Sequence, residues 1–219
     1  MKNLILILAV IFIASCAPSR FVKPLQKGEQ ALGCSLGGAM IHYGGASIPI
    51  PNTSFFYGKG ITDQLTVHGS VYGTSLAYGV IQLDGGAVYR FVGSDSSQWG
   101  MSANLSFNFA IDRYDWKAKL WPNLEWNSYY HLGKRGDFIY GGLGSWFELS
   151  GMRAHDQKQD KQVMLYPQLG YSFKKKNWSL ETELRWLAPG RMNLPNAVSY
   201  VGIQEHGAVG LYFQFIRRF

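Results

Sequence analysis

Two cysteines among 219 residues, Cys16 and Cys34, are too few for a disulfide framework. Charged residues make up only 16% of the chain while aromatic residues reach 15%, a balance that excludes a disordered polyelectrolyte. Long apolar runs are missing after the first 13 residues, so no later segment has the roughly 18 to 20 apolar residues that a membrane helix requires. Metal-ligand spacing is absent as well, because His42, His68, His131, His155 and His206 stand far apart. The excess of basic residues, +7 over the whole chain, is scattered among turns rather than gathered in a stripe, which argues against nucleic acid as a partner. No internal repeat longer than a strand and no second domain is visible.

What the chain does have is alternation. In the segment "WGMSANLSFNFAID", residues 99 to 112, Trp99, Met101, Ala103, Leu105, Phe107, Phe109 and Ile111 share one parity, and Ser102, Asn104, Ser106 and Asn108 share the other. A two-residue period places these sets on opposite faces of a β-strand. In a soluble sandwich the wet face usually carries Lys, Glu and Thr; here it carries small uncharged groups that suit a confined lumen. The apolar parity then faces lipid. A body without membrane helices can cross a bilayer only as a closed barrel, because closure satisfies every backbone group.

The start, "MKNLILILAVIFIASCAPS", has the charged end, short apolar core and small residues of a secretory leader, residues 1–15. Ile13-Ala14-Ser15-Cys16 resembles the bacterial lipobox. The resemblance implies cleavage before Cys16, lipidation of that cysteine, and a mature charge of +6, since only Lys2 is lost from +7. Residues 16–28 are expected as a lipidated tether and 29–219 as one barrel domain. Cys34 reads as a small apolar residue on the lipid face.

Ten alternating segments follow: 29–42, 52–61, 64–74, 78–92, 98–112, 117–132, 137–150, 161–174, 177–188 and 199–216. The expected fold is therefore all-β, an antiparallel transmembrane barrel of about ten strands; eight strands, or a soluble lipidated sandwich, are the alternatives. The connections after even-numbered strands, Thr62-Asp63, "VGSDSSQ", "KRG" and "KKKN", are short; the other set holds the long "YGGASIPIPN", "GMRAHDQKQDK" and "APGRMNLPNAVS" together with "RYDW" and the stretch around Ser75 to Ala77, which is short for an outer loop. Membrane barrels keep short periplasmic turns and longer outer loops.

The final segment "HGAVGLYFQFIRRF" resembles the closing strand of outer-membrane barrels of Gram-negative bacteria, with Phe219 terminal and Leu211, Phe213 and Phe215 at alternate positions. Arg217 departs from that pattern and suits the headgroup boundary. The resemblance implies the outer membrane, both termini on the periplasmic side, insertion by the barrel-assembly machinery, and contact with outer-membrane lipids. It names a class and no particular activity.

The inward parity collects Asp84, Arg90, Lys119, Glu125, Glu148, Glu181, Glu183, Arg185 and His206, a polar network expected to plug the lumen, helped by Asn104, Asn108, Tyr129 and Tyr166. Barrels of eight to ten strands are filled by their own side chains. "GCSLG" at 33–37 fits the G-x-S-x-G expression, but it lies within a strand rather than at the sharp turn a nucleophile needs, so Ser35 reads as a lumen residue. Asp112, Asp115, His155 and Asp156 in the outer loops give an outline that resembles the omptin proteases, in which rim Asp and His activate water; exposure explains these charges more simply. The leading expectation is a structural or accessory barrel within a larger outer-membrane assembly. The alternatives are a narrow channel or small-ligand-binding barrel and a rim hydrolase. No cofactor or metal is expected.

Overall fold

The structure, a computed structural model, describes residues 17–133, 135–151, 159, 161–193 and 199–219. The leader residues, Cys16, His155 and Asp156 lie outside the described residues. The strands are β1 (Gln30–Tyr43), β2 (Ala46–Pro49), β3 (Asn52–Thr62), β4 (Leu65–Tyr72), β5 (Val80–Val92), β6 (Trp99–Asp112), β7 (Ala118–Leu132), β8 (Asp137–Phe147), β9 (Val163–Lys175), β10 (Trp178–Met192) and β11 (His206–Arg218). A single helical turn, α1 (Gly73–Ala77), joins β4 to β5.

Ten of these strands form the wall of a closed antiparallel barrel, each pairing with its neighbours in chain order, and β2 is a short return strand on the end of β1. Closure comes from β1 against β11, with Leu36 opposite Phe213 and Cys34 opposite Phe215. The terminal residue adds two further bonds: Phe219 N–H donates to Gln30 O at 2.8 Å, and Phe219 O accepts from Gln30 N–H at 3.3 Å. Phe213, Phe215 and Phe219 point outward, while Leu211 is half-buried opposite Gly38. Arg217 also points outward, beside Trp178 at the end of the strand.

The two faces of the wall differ completely in chemistry. Leu105, Phe107, Leu124, Ile139, Leu143, Leu169, Leu180 and Leu184 all lie exposed on the outside, far more apolar surface than a soluble monomer presents. Ser102, Asn104 and Ser106, the other parity of β6, are buried inside. Trp99, Tyr130 and Tyr171 sit exposed near the end where β1 begins and β11 stops, here called the termini end, as an interfacial aromatic girdle does. At this termini end the four turns are short; the opposite, loop end carries α1 and the connections after β6, β8 and β10.

Two strand limits differ from the alternation by four residues or more. Ala188 adopts φ 48°, which interrupts the parity, yet the β10–β11 pairing resumes at Met192 after a register shift. The last strand begins at 206 rather than 199, because Gln204 and Glu205 take φ of 51° and 62° and turn the chain. Residues 199–203 instead run across the loop end, where Tyr200 bridges Ile41.

The largest departure concerns the expected tether. Residues 19–25 do not hang outside the barrel; Ser19, Arg20, Phe21, Val22 and Leu25 are buried within it. The segment then leaves at the termini end, where Gly28 N–H donates to Gly60 O at 2.9 Å, and turns into β1.

Candidate functional site: a lumen divided by the N-terminal segment

A chain segment that crosses a barrel without joining its wall has no strand partner, so its backbone groups need side chains to satisfy them. The lumen supplies these. Ser19 N–H donates to Glu183 Oε2 at 3.3 Å, Gln214 Nε2 donates to the carbonyls of Ser19 and Arg20 at 3.2 and 3.1 Å, and Ser102 Oγ donates to Val22 O at 2.5 Å. Leu25 N–H donates to Thr66 Oγ1 at 2.7 Å. These partners come from β4, β6, β10 and β11, so the segment is held from several sides of the barrel.

Side chains fix it further. The Arg20 guanidinium meets Asp84 Oδ2 at 2.7 Å, donates to Ser54 Oγ at 2.7 Å and Ser70 Oγ at 2.8 Å, and lies over the rings of Phe56 and Tyr72. Tyr72 donates to the same carboxylate oxygen at 2.8 Å. Phe21 packs edge-on against Phe56, with ring centroids 5.6 Å apart. Gly58 makes room for it, since a Cβ there would come within 2.5 Å of the Phe21 ring.

Opposite Arg20 lies a second ionic group, built by the wall. Arg185 donates to Glu125 at 2.9 Å and pairs with Glu183, and its guanidinium covers the Tyr166 ring at 4.7 Å. Tyr166 OH donates to Asn123 Oδ1 at 2.6 Å and Glu125 Oε1 at 3.0 Å, and Tyr140 OH donates to Glu183 at 2.8 Å. Ser19 ties this group to the segment, because its Oγ accepts from Gln168 at 2.9 Å and Arg185 at 3.1 Å.

The structure thus brings Asp84, Glu125, Glu183 and Arg185 together around the segment and puts Glu181 just below, accepting from Ser172 and Gln214 at 3.0 Å each. The remaining sequence candidates lie apart. Lys119 and Glu148 form a 2.7 Å pair on the loop side. Arg90 lies on the termini side, where it donates to Asp95 at 2.6 Å and Asp63 O at 2.8 Å. His206 is not in the network at all: it stands at the loop-end rim, its Nδ1 2.7 Å from Gln204 O, because the preceding turn places it where the wall begins. Ser35 lies buried inside β1 and shares a 2.5 Å hydrogen bond with Ser54, with no strand-to-helix turn to expose it. Asp112 caps its own turn by accepting from the N–H groups of Tyr114, Asp115 and Lys117. Cys34 is exposed on the outer face between Phe55 and Phe215.

Arg20 and its neighbours escaped the sequence reading, though two signals pointed to them. A solvated tether has no need of Phe21, Val22 and Leu25 within twelve residues. The inward parity also held five acids against three bases, leaving room for an arriving cation.

The segment separates two chambers. On the loop side a cavity of about 330 Å³ is lined by Ala17, Pro18, Asp84, Trp121 and Glu148. On the termini side a cavity of about 610 Å³ is lined by Lys23, Asp95, His131, Lys174 and Arg218. Lys23 on the segment meets Asp95 in the 93–98 turn at 3.4 Å, which latches the segment to the wall at that end. Burial pushes the Asp95 carboxyl up, but the Arg90 hydrogen bond and the Lys23 charge outweigh it and hold it below the usual carboxylate range.

No known protein family and no curated protein matches the chain. Among solved structures it is similar to an outer membrane channel from Pseudomonas putida F1, at 12% identity and a TM-score of 0.52, over 93% of this chain and all of that one. It is also similar to the translocator domain of the autotransporter NalP from Neisseria meningitidis, at 9% identity and a TM-score of 0.47, over 89% of this chain and 90% of that one. The first likeness agrees with the closed barrel described above.

Proposed function

We propose that the protein is a channel-type barrel of the Gram-negative outer membrane, held closed by its own N-terminal segment. The observation that carries this reading is that the obstruction is not part of the wall. A permanently filled lumen needs only wall side chains; here residues 19–25 fill it, and each wall strand keeps its backbone pairing without them. Closure is therefore separable from the barrel. Planar-bilayer conductance of the unacylated Cys16→Ser mature protein, in which no lipid draws the segment out, and of the same protein lacking residues 17–25 tests it. The intact protein should be silent and the deletion variant should conduct small ions. A folded but silent deletion variant would favour the second reading, an accessory barrel docked on a larger outer-membrane assembly, which a lumen closed at rest also suits.

In this proposal the short-turn end, with the start of β1 and the C-terminus, faces the periplasm, the barrel-assembly machinery inserts the chain, Cys16 carries lipid, and the N-terminus reaches the periplasmic side only when the plug has left. Lipid and plug then bear on one another. Ala17 and Pro18 line the loop-side chamber, so the chain preceding Ser19 heads away from the termini end. Three residues reach at most about 11 Å, whereas Gln168, which holds Ser19, lies seven residues from the termini-end limit of β9, roughly 18 Å along the barrel axis for a tilted strand. An acylated Cys16 inserted in the periplasmic leaflet therefore requires the plug to leave, and such an anchored form is the open one.

A further inference from the structure

At the termini end the acids and the cations are not equally engaged. Asp95 is held by Arg90 and Lys23, Glu181 accepts from Ser172 and Gln214, Glu29 accepts from Gln26 N–H, and Asp137 accepts from Lys174 N–H. The side chains of Lys174 and Arg218 have no hydrogen-bond or ion-pair partner among the described residues, and Arg218 Nη1 is buried in that state. His131 Nε2 is likewise buried without a partner, although its ring packs between Tyr129 and Phe138. All three groups line the same 610 Å³ chamber, together with Lys23.

From this arrangement we infer that the termini-side chamber binds a phosphoryl-type oxyanion between Arg218, Lys174 and His131. The planar guanidinium offers paired donors that match an oxyanion, the ammonium adds a point charge, and the imidazole adds a third donor. Lys174 and Arg218 repel one another across a confined space, and the Glu29 and Glu181 carboxylates that line the same chamber attract them without coming to ion-pair distance; an anion relieves the repulsion and fills the buried donor positions at once. The site lies beyond the plug on the periplasmic side of the proposed channel, so it deepens that reading by naming a solute class, while the geometry stands without it. The phosphoryl group could belong to a dissolved phosphate or to the headgroup of a lipid at the rim.

The test uses the full mature protein in phosphate-free detergent micelles, with the His131 imidazole and Arg218 guanidinium signals followed by NMR as inorganic phosphate is added. Saturable shifts are expected, weakened about tenfold by Lys174→Gln or Arg218→Gln and unchanged by Arg113→Gln at the loop end. Nanodiscs of phosphatidylglycerol without free phosphate give the same shifts if a headgroup is the occupant and none if a dissolved anion is; either result supports the site. Shifts that do not saturate, or that persist in the Lys174→Gln/Arg218→Gln double variant with the barrel folded, overturn it. Saturable binding together with a silent 17–25 deletion variant keeps the site and removes the channel reading.

Discussion

The wall and the plug of this barrel are built on opposite terms. In the wall, backbone meets backbone in register from Trp99 opposite Tyr130 to Ile111 opposite Ala118, and the same ladder recurs around the circle. In the plug, backbone meets side chain: Glu183, Gln214, Ser102 and Thr66 each serve one or two groups of an irregular strand-less segment. A ladder is cooperative and cannot lose one member without its neighbours. A set of side-chain contacts can be released, since every wall group it frees can be rehydrated by the water that enters.

The two arginines of the lumen offer the sharpest way to separate these terms. Arg185→Met removes a wall cation and leaves Glu125 and Glu183 buried side by side; the barrel should lose about 3–5 kcal/mol against unfolding in urea. Arg20→Met removes a comparable pair with Asp84, but its cost should fall on seating of the plug, giving conductance with little change in the unfolding midpoint. Equal unfolding penalties for the two would show that plug and wall are one cooperative unit.

A lipid-face charge gives the next largest effect. Leu143 is exposed midway along β8, and Leu143→Arg should destabilise the inserted barrel by about 2–4 kcal/mol in lipid vesicles. Thr66→Val deprives Leu25 N–H of its acceptor and should loosen the plug by about 1 kcal/mol, read as roughly fivefold more frequent opening with the wall unaffected. The Lys23–Asp95 latch should respond least to ordinary pH. A carboxyl held below its usual value contributes stability that is complete above about pH 4 and is lost only as pH falls through the lowered value. The latch should accordingly contribute a constant amount to closure from pH 5 to 8, and Asp95→Asn should remove its share of any acid-induced opening below that range, leaving the part that comes from Asp84 and Glu183.

The wall was legible in the sequence and the plug was not, for a physical reason. A strand between lipid and lumen must alternate at every step, so Ser102, Asn104 and Ser106 against Leu105 and Phe107 announce both faces. Legibility failed where backbone geometry breaks that rhythm, at Ala188 and at Gln204-Glu205, whose left-handed conformations leave no compositional mark. A segment satisfied by wall side chains has no period to read, and only its stray Phe21, Val22 and Leu25 betrayed it. Most of the central network was accessible from parity, namely Asp84, Glu125, Glu183 and Arg185, yet its organising members Ser19 and Arg20 came from outside the wall. His206 shows the limit of parity near a rim, where inward no longer means enclosed.

Seating of the N-terminal segment is the claim on which the closed lumen depends, and its most direct measure is the contact between Phe21 and Gly58. In micelles, with the Phe21 ring selectively protonated, nuclear Overhauser effects to the Gly58 Hα protons and to the Phe56 ring are predicted, with slow exchange of the Leu25 amide. A Phe21 ring with random-coil shifts, rapid motion and no cross-peak to either residue would contradict it.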